Sequence, residues 1–296
     1  MLKKFMVLFV PLFLAVGCGD DDDVIDFNDI NDIGVEQSIV DLAAEDPRFS
    51  ILVDALERAG LVATLEGEGP FTVFAPTDDA FIEAGIDLDE VPADELENIL
   101  LYHVVDAQLE ADQLETGARE AVQEDYLVIR AENDSVTVNN ANVVEADLIA
   151  DNGVIHAIDA VLLPPTRNVV DELREREEFS ELMGALEATG LDETLENNGP
   201  FTIFAPTNEA FDAVQETVAG LSEEELRDVL LYHVLGQRVF STQLTDGDVE
   251  TLLEDAEVTI NVQELTVNDA GILVDDVDIQ GTNGVIHAID SVLIPE

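Results

Sequence analysis

The chain is written twice. At an offset of 130, residues 48–77 and 178–207 agree at 19 of 30 positions. The blocks Phe71–Thr77 and Phe201–Thr207 differ only by Val73 against Ile203, and Leu100–Val104 recurs unchanged as Leu230–Val234. Asn152–Asp159 recurs intact as Asn283–Asp290 at an offset of 131, so one residue has been inserted between the blocks. Solenoid repeats run to about 20 to 50 residues, so this period is that of a domain. The sequence therefore predicts two tandem domains, residues 36–164 and 165–296. Their boundary falls at Leu163-Pro164-Pro165, where two prolines make a stiff, non-helical joint.

Within each copy the hydrophobic period changes once. Phe49, Leu52, Leu56 and Ala59 recur at helical spacing and are followed by Gly60, and Phe179, Leu182, Leu186 and Gly190 repeat the pattern. Gly69-Pro70 then opens a short extended run that Pro76 closes, and Thr77 and Thr207 follow as N-caps. Asp78, Asp79 and Glu209 stand where a helix N-terminus favours negative charge. Leu96, Ile99, Leu100 and His103 lie at i, i+3, i+4 and i+7, as do Leu226, Val229, Leu230 and His233, and Ser222 with Glu225 forms a capping box. Beyond that helix the period falls to two: residues 126–131, 135–139, 143–149 and 154–163 read as strands. Helices first and strands second predict an α+β domain rather than a parallel α/β one.

Charge bears on whether such copies can fold at all. The chain carries 67 Asp+Glu against 11 Lys+Arg, a net charge of -56, yet 47% of its 296 residues are apolar, enough to bury a core. Lys3 and Lys4 are the only lysines, so nine arginines answer the carboxylates of everything that follows. Nucleic acid is excluded as a partner, since phosphate binding needs a basic footprint. A surface this acidic repels itself until salt shortens the Debye length from about 30 Å near 0.01 M to about 3 Å near 1 M. Halophily is the simplest reading, and a calcium-loaded surface is the alternative, although no D-x-D-x-D-G loop supports it.

The first residues form an address. Met1–Lys4 is basic and Phe5–Val16 is apolar apart from Pro11, too short for a bilayer span of about 20 residues and suited to a signal peptide over residues 1–17. It ends at Leu14-Ala15-Val16-Gly17-Cys18, which resembles a bacterial lipobox with Ala15 where Leu is commoner; Cys18, the only cysteine, is the expected lipidation site. The other reading is an ordinary signal peptide with an incidental cysteine. Gly19 and Asp20–Asp23 begin an acidic stretch over residues 18–35 that reads either as a self-repelling tether or as a surface-export signal of the kind some Bacteroidetes-type lipoproteins carry. Either way the protein is expected to be exported and anchored in the cell envelope, facing periplasm or exterior.

The blocks Phe71–Phe81, Tyr102-His103 and Asn152–Pro164, each met again in the second copy, resemble the fasciclin (beta-Ig-H3) domain. The resemblance runs from about Glu36 to Glu296. It implies two tandem fasciclin domains, each with a β-sandwich or wedge core flanked by helices, and a role in cell adhesion or matrix binding. Partners would be a surface or extracellular-matrix protein or polysaccharide. In animal members the Tyr-His block has been linked to integrin binding, which marks Tyr102, His103, Tyr232 and His233 as candidate binding residues.

The residues themselves also support a plainer role. His103 and His233 sit on the apolar stripe of their helix, as expected of buried histidines that fix a helix end, and His156 and His287 lie mid-strand among aliphatic neighbours. With two histidines about fifty residues apart in each domain and no cysteine in either, no metal site and no cofactor is expected. There is no G-x-S-x-G elbow, no H-E-x-x-H and no Gly-rich phosphate loop, so the chain reads as a non-enzyme. Asp159 and Asp290 stand in apolar strands and call for structural partners such as a turn backbone or an arginine. Small-ligand or polysaccharide binding is the alternative function, although a chain with no Trp and three Tyr offers few stacking platforms for sugars.

Overall fold

The computed structural model describes residues 37–132 and 135–295. The expected signal segment 1–17, Cys18 and the acidic stretch to residue 35 lie outside them. The first domain runs α1 (Ile39–Glu45), α2 (Ser50–Ala59), α3 (Val62–Leu65), β1 (Phe71–Pro76), α4 (Asp78–Ala84), α5 (Ala93–Tyr102), β2 (Val104–Val105), β3 (Gly117–Glu120), β4 (Tyr126–Glu132), β5 (Ser135–Val138), β6 (Ala141–Ala150) and β7 (Gly153–Ile158). The second repeats it as α6 (Val169–Arg174), α7 (Ser180–Thr189), α8 (Leu191–Asn197), β8 (Phe201–Pro206), α9 (Asn208–Ala213), α10 (Gln215–Val218), α11 (Glu223–Tyr232), β9 (Val234–Leu235), β10 (Gly247–Glu250), β11 (Glu257–Asn261), β12 (Thr266–Val267), β13 (Ala270–Gly271), β14 (Ile279–Gly281) and β15 (Gly284–Ile289).

Each domain is α+β, two tandem copies of a sheet flanked by helices. Helix ends fall where the local chemistry puts them. Gly60 and Gly190 close α2 and α7 in the left-handed region at φ 72° and 63°, Thr77 and Thr207 cap α4 and α9, and Ser222 with Glu225 completes a capping box on α11.

In domain 1 a seven-stranded sheet runs β2-β1-β7-β6-β5-β4-β3. The apolar runs that recur best in the sequence, β1 and β7, are its central pair, and they are parallel, in register from Phe71 against Gly153 to Pro76 against Ile158. That parallel pair is a departure from the antiparallel character the strand-rich half suggests. It buries β1 on both faces: Val73 and Ala75 pack with Phe49, Leu52 and Phe81 under the helices, while Phe74 packs with Tyr102, Leu127 and Ile129 on the other side. Close approach makes Gly69 obligatory at the strand entrance, since a Cβ there would lie 2.0 Å from the Asn152 carbonyl oxygen.

Domain 2 differs at one strand. The ten-residue β6 bulges twice against β7, between Val143 and Glu145 and between Glu145 and Leu148. Its counterpart is broken into β13, a 3-10 turn Val274–Asp276 and β14, so the second copy has two four-stranded sheets, β10-β11-β12-β13 and β14-β15-β8-β9, in place of one. The sequence strand 154–163 ends earlier, at Ile158, and the chain bends at 159–160 and runs without ladder to the prolines.

Candidate functional site

Helix α5 ends at Tyr102, with His103 as its C-cap in the right-handed region. The His103 N–H donates to the Leu100 carbonyl at 3.1 Å, and its own carbonyl accepts the Phe74 N–H at 2.9 Å, so the histidine joins the helix end to β1. The ring adds a second joint. Nδ1–H donates to the Ile99 carbonyl at 2.7 Å and Nε2 accepts the Leu162 N–H at 2.9 Å, which requires the neutral tautomer. His233 repeats it on the Val229 carbonyl at 2.7 Å and the Leu293 N–H at 2.9 Å. Both rings are 1% exposed, and burial pulls each imidazole down to about 4.

Tyr102 and Tyr232 hold the opposite face. The Tyr102 hydroxyl donates to the Tyr126 carbonyl at 2.8 Å and accepts from Asn139 Nδ2 at 2.9 Å. Burial pushes the phenol up to about 12. Tyr232 does the same with the Glu257 carbonyl at 2.8 Å and Asn268 Nδ2 at 3.0 Å. The two asparagines, at φ 52° in both domains, also bind the neighbouring strand: Asn139 Oδ1 accepts the Val128 N–H and Asn268 Oδ1 accepts the Thr259 N–H, each at 2.8 Å. These asparagines were not among the sequence candidates. Their signal was an asparagine between two strands in both copies, a residue type that tolerates the left-handed turn.

The other recurrent groups are also internal. His156 Nε2–H donates to the Leu109 carbonyl at 2.7 Å, Nδ1 accepts the Asp147 N–H at 3.3 Å, and the ring stacks on Phe74 at 5.7 Å. His287 matches it with Val239, Asp278 and Phe204. Burial lowers the pKa of both. Asn152 Nδ2 donates to the Leu65 and Gly67 carbonyls while Oδ1 accepts the Ile39 N–H, tying α1 and the α3 loop to the start of β7. Asp159 takes the Asn142 N–H at 2.7 Å and Asp290 takes the Gly271 N–H at 2.8 Å, so both carboxylates meet the backbone of a neighbouring strand, β6 and β13, rather than a turn or an arginine. Among the described residues no group of three or more His, Cys, Asp or Glu could hold a metal ion.

What reaches the surface are two grooves over the tyrosines. One, of about 530 Å³, is lined by Tyr102, Asn139 and Pro164 from domain 1 and by Val277, Asp278 and Gln280 from domain 2. The other, of about 780 Å³, is built among the described residues by domain 2 alone, around Tyr232, Asn268, Asp269 and Pro295. The structure thus keeps each Tyr-His pair together on its helix end and buries all four side chains: Tyr102 is 1% exposed, like His103, and Tyr232 is 7% exposed, so the tyrosines form only the floors of the grooves.

The domains meet beside the first groove. Val128, Phe240 and Val285 form a buried cluster, Tyr126 lies 5.6 Å from Phe240, and the Arg238 guanidinium sits 5.5 Å over Tyr126. Arg130 pairs with Asp278, whose side chain is 5% exposed and also accepts the Ser241 N–H at 2.6 Å.

A family model described as "Fasciclin domain" matches residues 47–164 and 177–295. The chain is 36% identical over 244 residues to the rabbit (Oryctolagus cuniculus) transforming growth factor-beta-induced protein ig-h3, covering 78% of this chain and 36% of that protein. It is 32% identical over 243 residues to human (Homo sapiens) periostin, covering 78% of this chain and 29% of periostin. It is 31% identical over 292 residues to the fasciclin-like arabinogalactan protein CTB11 of Cercospora beticola, covering 88% and 77%. The chain thus spans little more than a third of ig-h3 and less of periostin. A solved FAS1 domain pair from the insect cell adhesion molecule Fasciclin I covers 83% of this chain and 97% of that one at 18% identity and a TM-score of 0.39, too loose a likeness to argue from. Among the described residues no helix is long and apolar enough to cross a membrane.

Proposed function

The chain belongs to the fasciclin-domain family, and from that premise we propose that it is an exported surface protein that binds a matrix or cell-surface component and so mediates adhesion. The observation that carries this reading is the family match over both copies, nearly end to end. In it, Cys18 anchors the protein through its lipid and the acidic stretch to residue 35 holds the domain pair away from the membrane. The binding surface is the tyrosine side of the domains, with the histidines holding it in shape, and the protein works by binding rather than by catalysis. The charge of -56 suits an organism living in high salt.

The test is clustering and surface attachment of the producing cells in molar salt, with and without added protein from Gly19 onward. Soluble protein is expected to compete. Folded protein without effect over a wide concentration range would refute adhesion.

One observation favours small-ligand binding as a second reading. A mostly apolar cleft of about 300 Å³ opens between the domains, lined by Leu244, Ile260, Ile272 and Val277 with Arg130 at its wall. Occupancy would raise the melting temperature in a ligand screen, since a ligand that binds only the folded state stabilises it.

A further inference from the structure

The two tyrosine grooves are copies of one surface with different neighbours. In domain 1 a strip of domain 2 faces it: Val274, Val277 and Gln280 line the groove, and Gln280 Nε2 approaches Asn139 Oδ1 at 3.5 Å. Asn139 Oδ1 therefore serves two donors, the Val128 N–H and the Gln280 amide. In domain 2 the matching Asn268 Oδ1 serves one among the described residues, the Thr259 N–H, and every residue lining that groove belongs to domain 2 itself.

Ladder register shows what a second copy of the chain would bring there. Ile129 pairs with Gly117 as Ile260 pairs with Gly247, so Tyr126, Val128 and Arg130 of β4 correspond to Glu257, Thr259 and Asn261 of β11. On the opposing side Asp278 corresponds to Asp147, since each accepts the first N–H of a 3-10 turn, that of Ser241 and that of Ala111. Phe240 and Glu110 cap those same turns. Stacking a second copy head to tail would therefore put Glu110 against Glu257 where Phe240 meets Tyr126. It would also leave Asp147 opposite Asn261, where Asp278 has Arg130. The contact that holds the two domains is written once and its sequence forbids repetition.

We propose that the domain 2 groove holds a basic, extended polypeptide segment of another protein, seated along β11 with an amide or ammonium donor on Asn268. The class of occupant follows from domain 1, where the same surface faces polypeptide. Its charge follows from the rim: Glu254, Asp255, Glu257 and Asp269 are exposed around the groove, and among the described residues no Arg or Lys lines it. The inference rests on the reading of the protein as a surface binding module and names the chemistry of its partner.

The probe is a fluorescent eight-residue peptide with the order of residues 274–281 and each aspartate replaced by lysine, titrated into the full chain at about 0.15 M salt and read by anisotropy. Saturable binding of one peptide per chain is expected. It should weaken about tenfold or more in Glu254→Lys/Asp269→Lys, and again on raising salt to about 1 M. It should hold in Asp54→Lys/Glu57→Lys, the same charge change on exposed positions of α2. Equal weakening in both variants would mean general attraction to an acidic surface and would overturn the proposal, as would equal binding of the unaltered acidic peptide or none at all. All these proteins carry their surface changes at exposed sites, and circular dichroism verifies each fold. Peptide binding that persists in protein unable to compete for cell clustering would support the groove and count against adhesion alone; the converse result would overturn the groove and leave adhesion standing.

Discussion

Mild acid should destabilise this protein although its surface charge argues the opposite. The perturbation is a shift from pH 7 to pH 5, where most of the 67 Asp and Glu side chains stay ionised and the histidines do not stay neutral in the unfolded chain. His103 and His233 are held neutral by a donor on one ring nitrogen and an acceptor on the other, and burial pulls both to about 4 from an ordinary 6.5. A lowered histidine pKa means that the unfolded state binds more protons below pH 6.5. Stability is therefore whole above about 6.5, falls as pH falls, and stops falling once the folded pKa near 4 is passed. One pKa unit corresponds to about 1.4 kcal/mol, so each of these two rings removes about 2 kcal/mol by pH 5 and the pair about 4 kcal/mol. His156 and His287, also lowered by burial, act in the same direction.

The opposing effect is relief of repulsion as carboxylates protonate, and it belongs to a lower pH. Molar salt shortens the Debye length to about 3 Å and reduces that term further. Urea unfolding in about 1 M KCl at pH 7, 6 and 5, followed by circular dichroism, isolates the histidine effect, because urea adds no ions. A loss of about 4 kcal/mol or more between pH 7 and pH 5 is expected. Stability that is flat or rising over that interval in high salt would refute the locked-tautomer argument.

Asn139→Ala and Asn268→Ala should each lower stability by about 1–3 kcal/mol, because a strand N–H and a tyrosine hydroxyl lose their partner and alanine tolerates φ 52° poorly; urea midpoints unchanged from wild type would count against the joint. A double-mutant cycle on Arg130→Ala and Asp278→Ala should show coupling of about 0.5–3 kcal/mol, and strict additivity would mean that the ion pair between the domains contributes nothing. The melting temperature should climb from about 0.1 M to above 1 M KCl as carboxylate repulsion is screened; a flat profile would remove the halophilic reading. Cys18→Ser should move the protein from the membrane fraction to the soluble exported fraction, and unchanged partitioning would remove the lipid anchor.

How much of this was legible in the chain depended on which residues the two copies share. The blocks around Phe74, His103 and Asn152 recur because the fold holds each of them from several sides: β1 is packed on both faces, by Val73 and Ala75 on one and Phe74 on the other, His103 lies between a helix end and the segment after β7, and Asn152 binds three backbone groups. Helical and alternating periods therefore located α2, α5, α7, α11 and β4 to β7, while α1, α6 and β3 went unread, and the caps at Gly60, Thr77 and Ser222 followed from residue type. The parallel pairing of β1 with β7 was not legible, because continuous burial on both faces erases the alternation from which strand setting is read. Asn139 and Asn268 escaped notice for a related reason, since their work is done at one backbone turn and leaves no periodic trace.

Comparison of the copies also locates the surface where they stop agreeing. Tyr126, Val128 and Arg130 in β4 become Glu257, Thr259 and Asn261 in β11 while the alternate, inward residues stay aliphatic, Leu127 and Ile129 against Val258 and Ile260. Half of each strand is thus held by the core and half is free to differ, and the difference falls where domain 2 meets domain 1. Identity between repeats marks what the fold requires of every copy, and divergence on a single strand face marks a contact that only one copy makes. By that logic Glu257 on the outer face of β11 is no relic of an acidic composition alone. With Thr259 and Asn261 it replaces the groups that hold a neighbouring domain, and its carboxylate would repel Glu110 of a second copy, which leaves the second groove open to a partner of opposite charge.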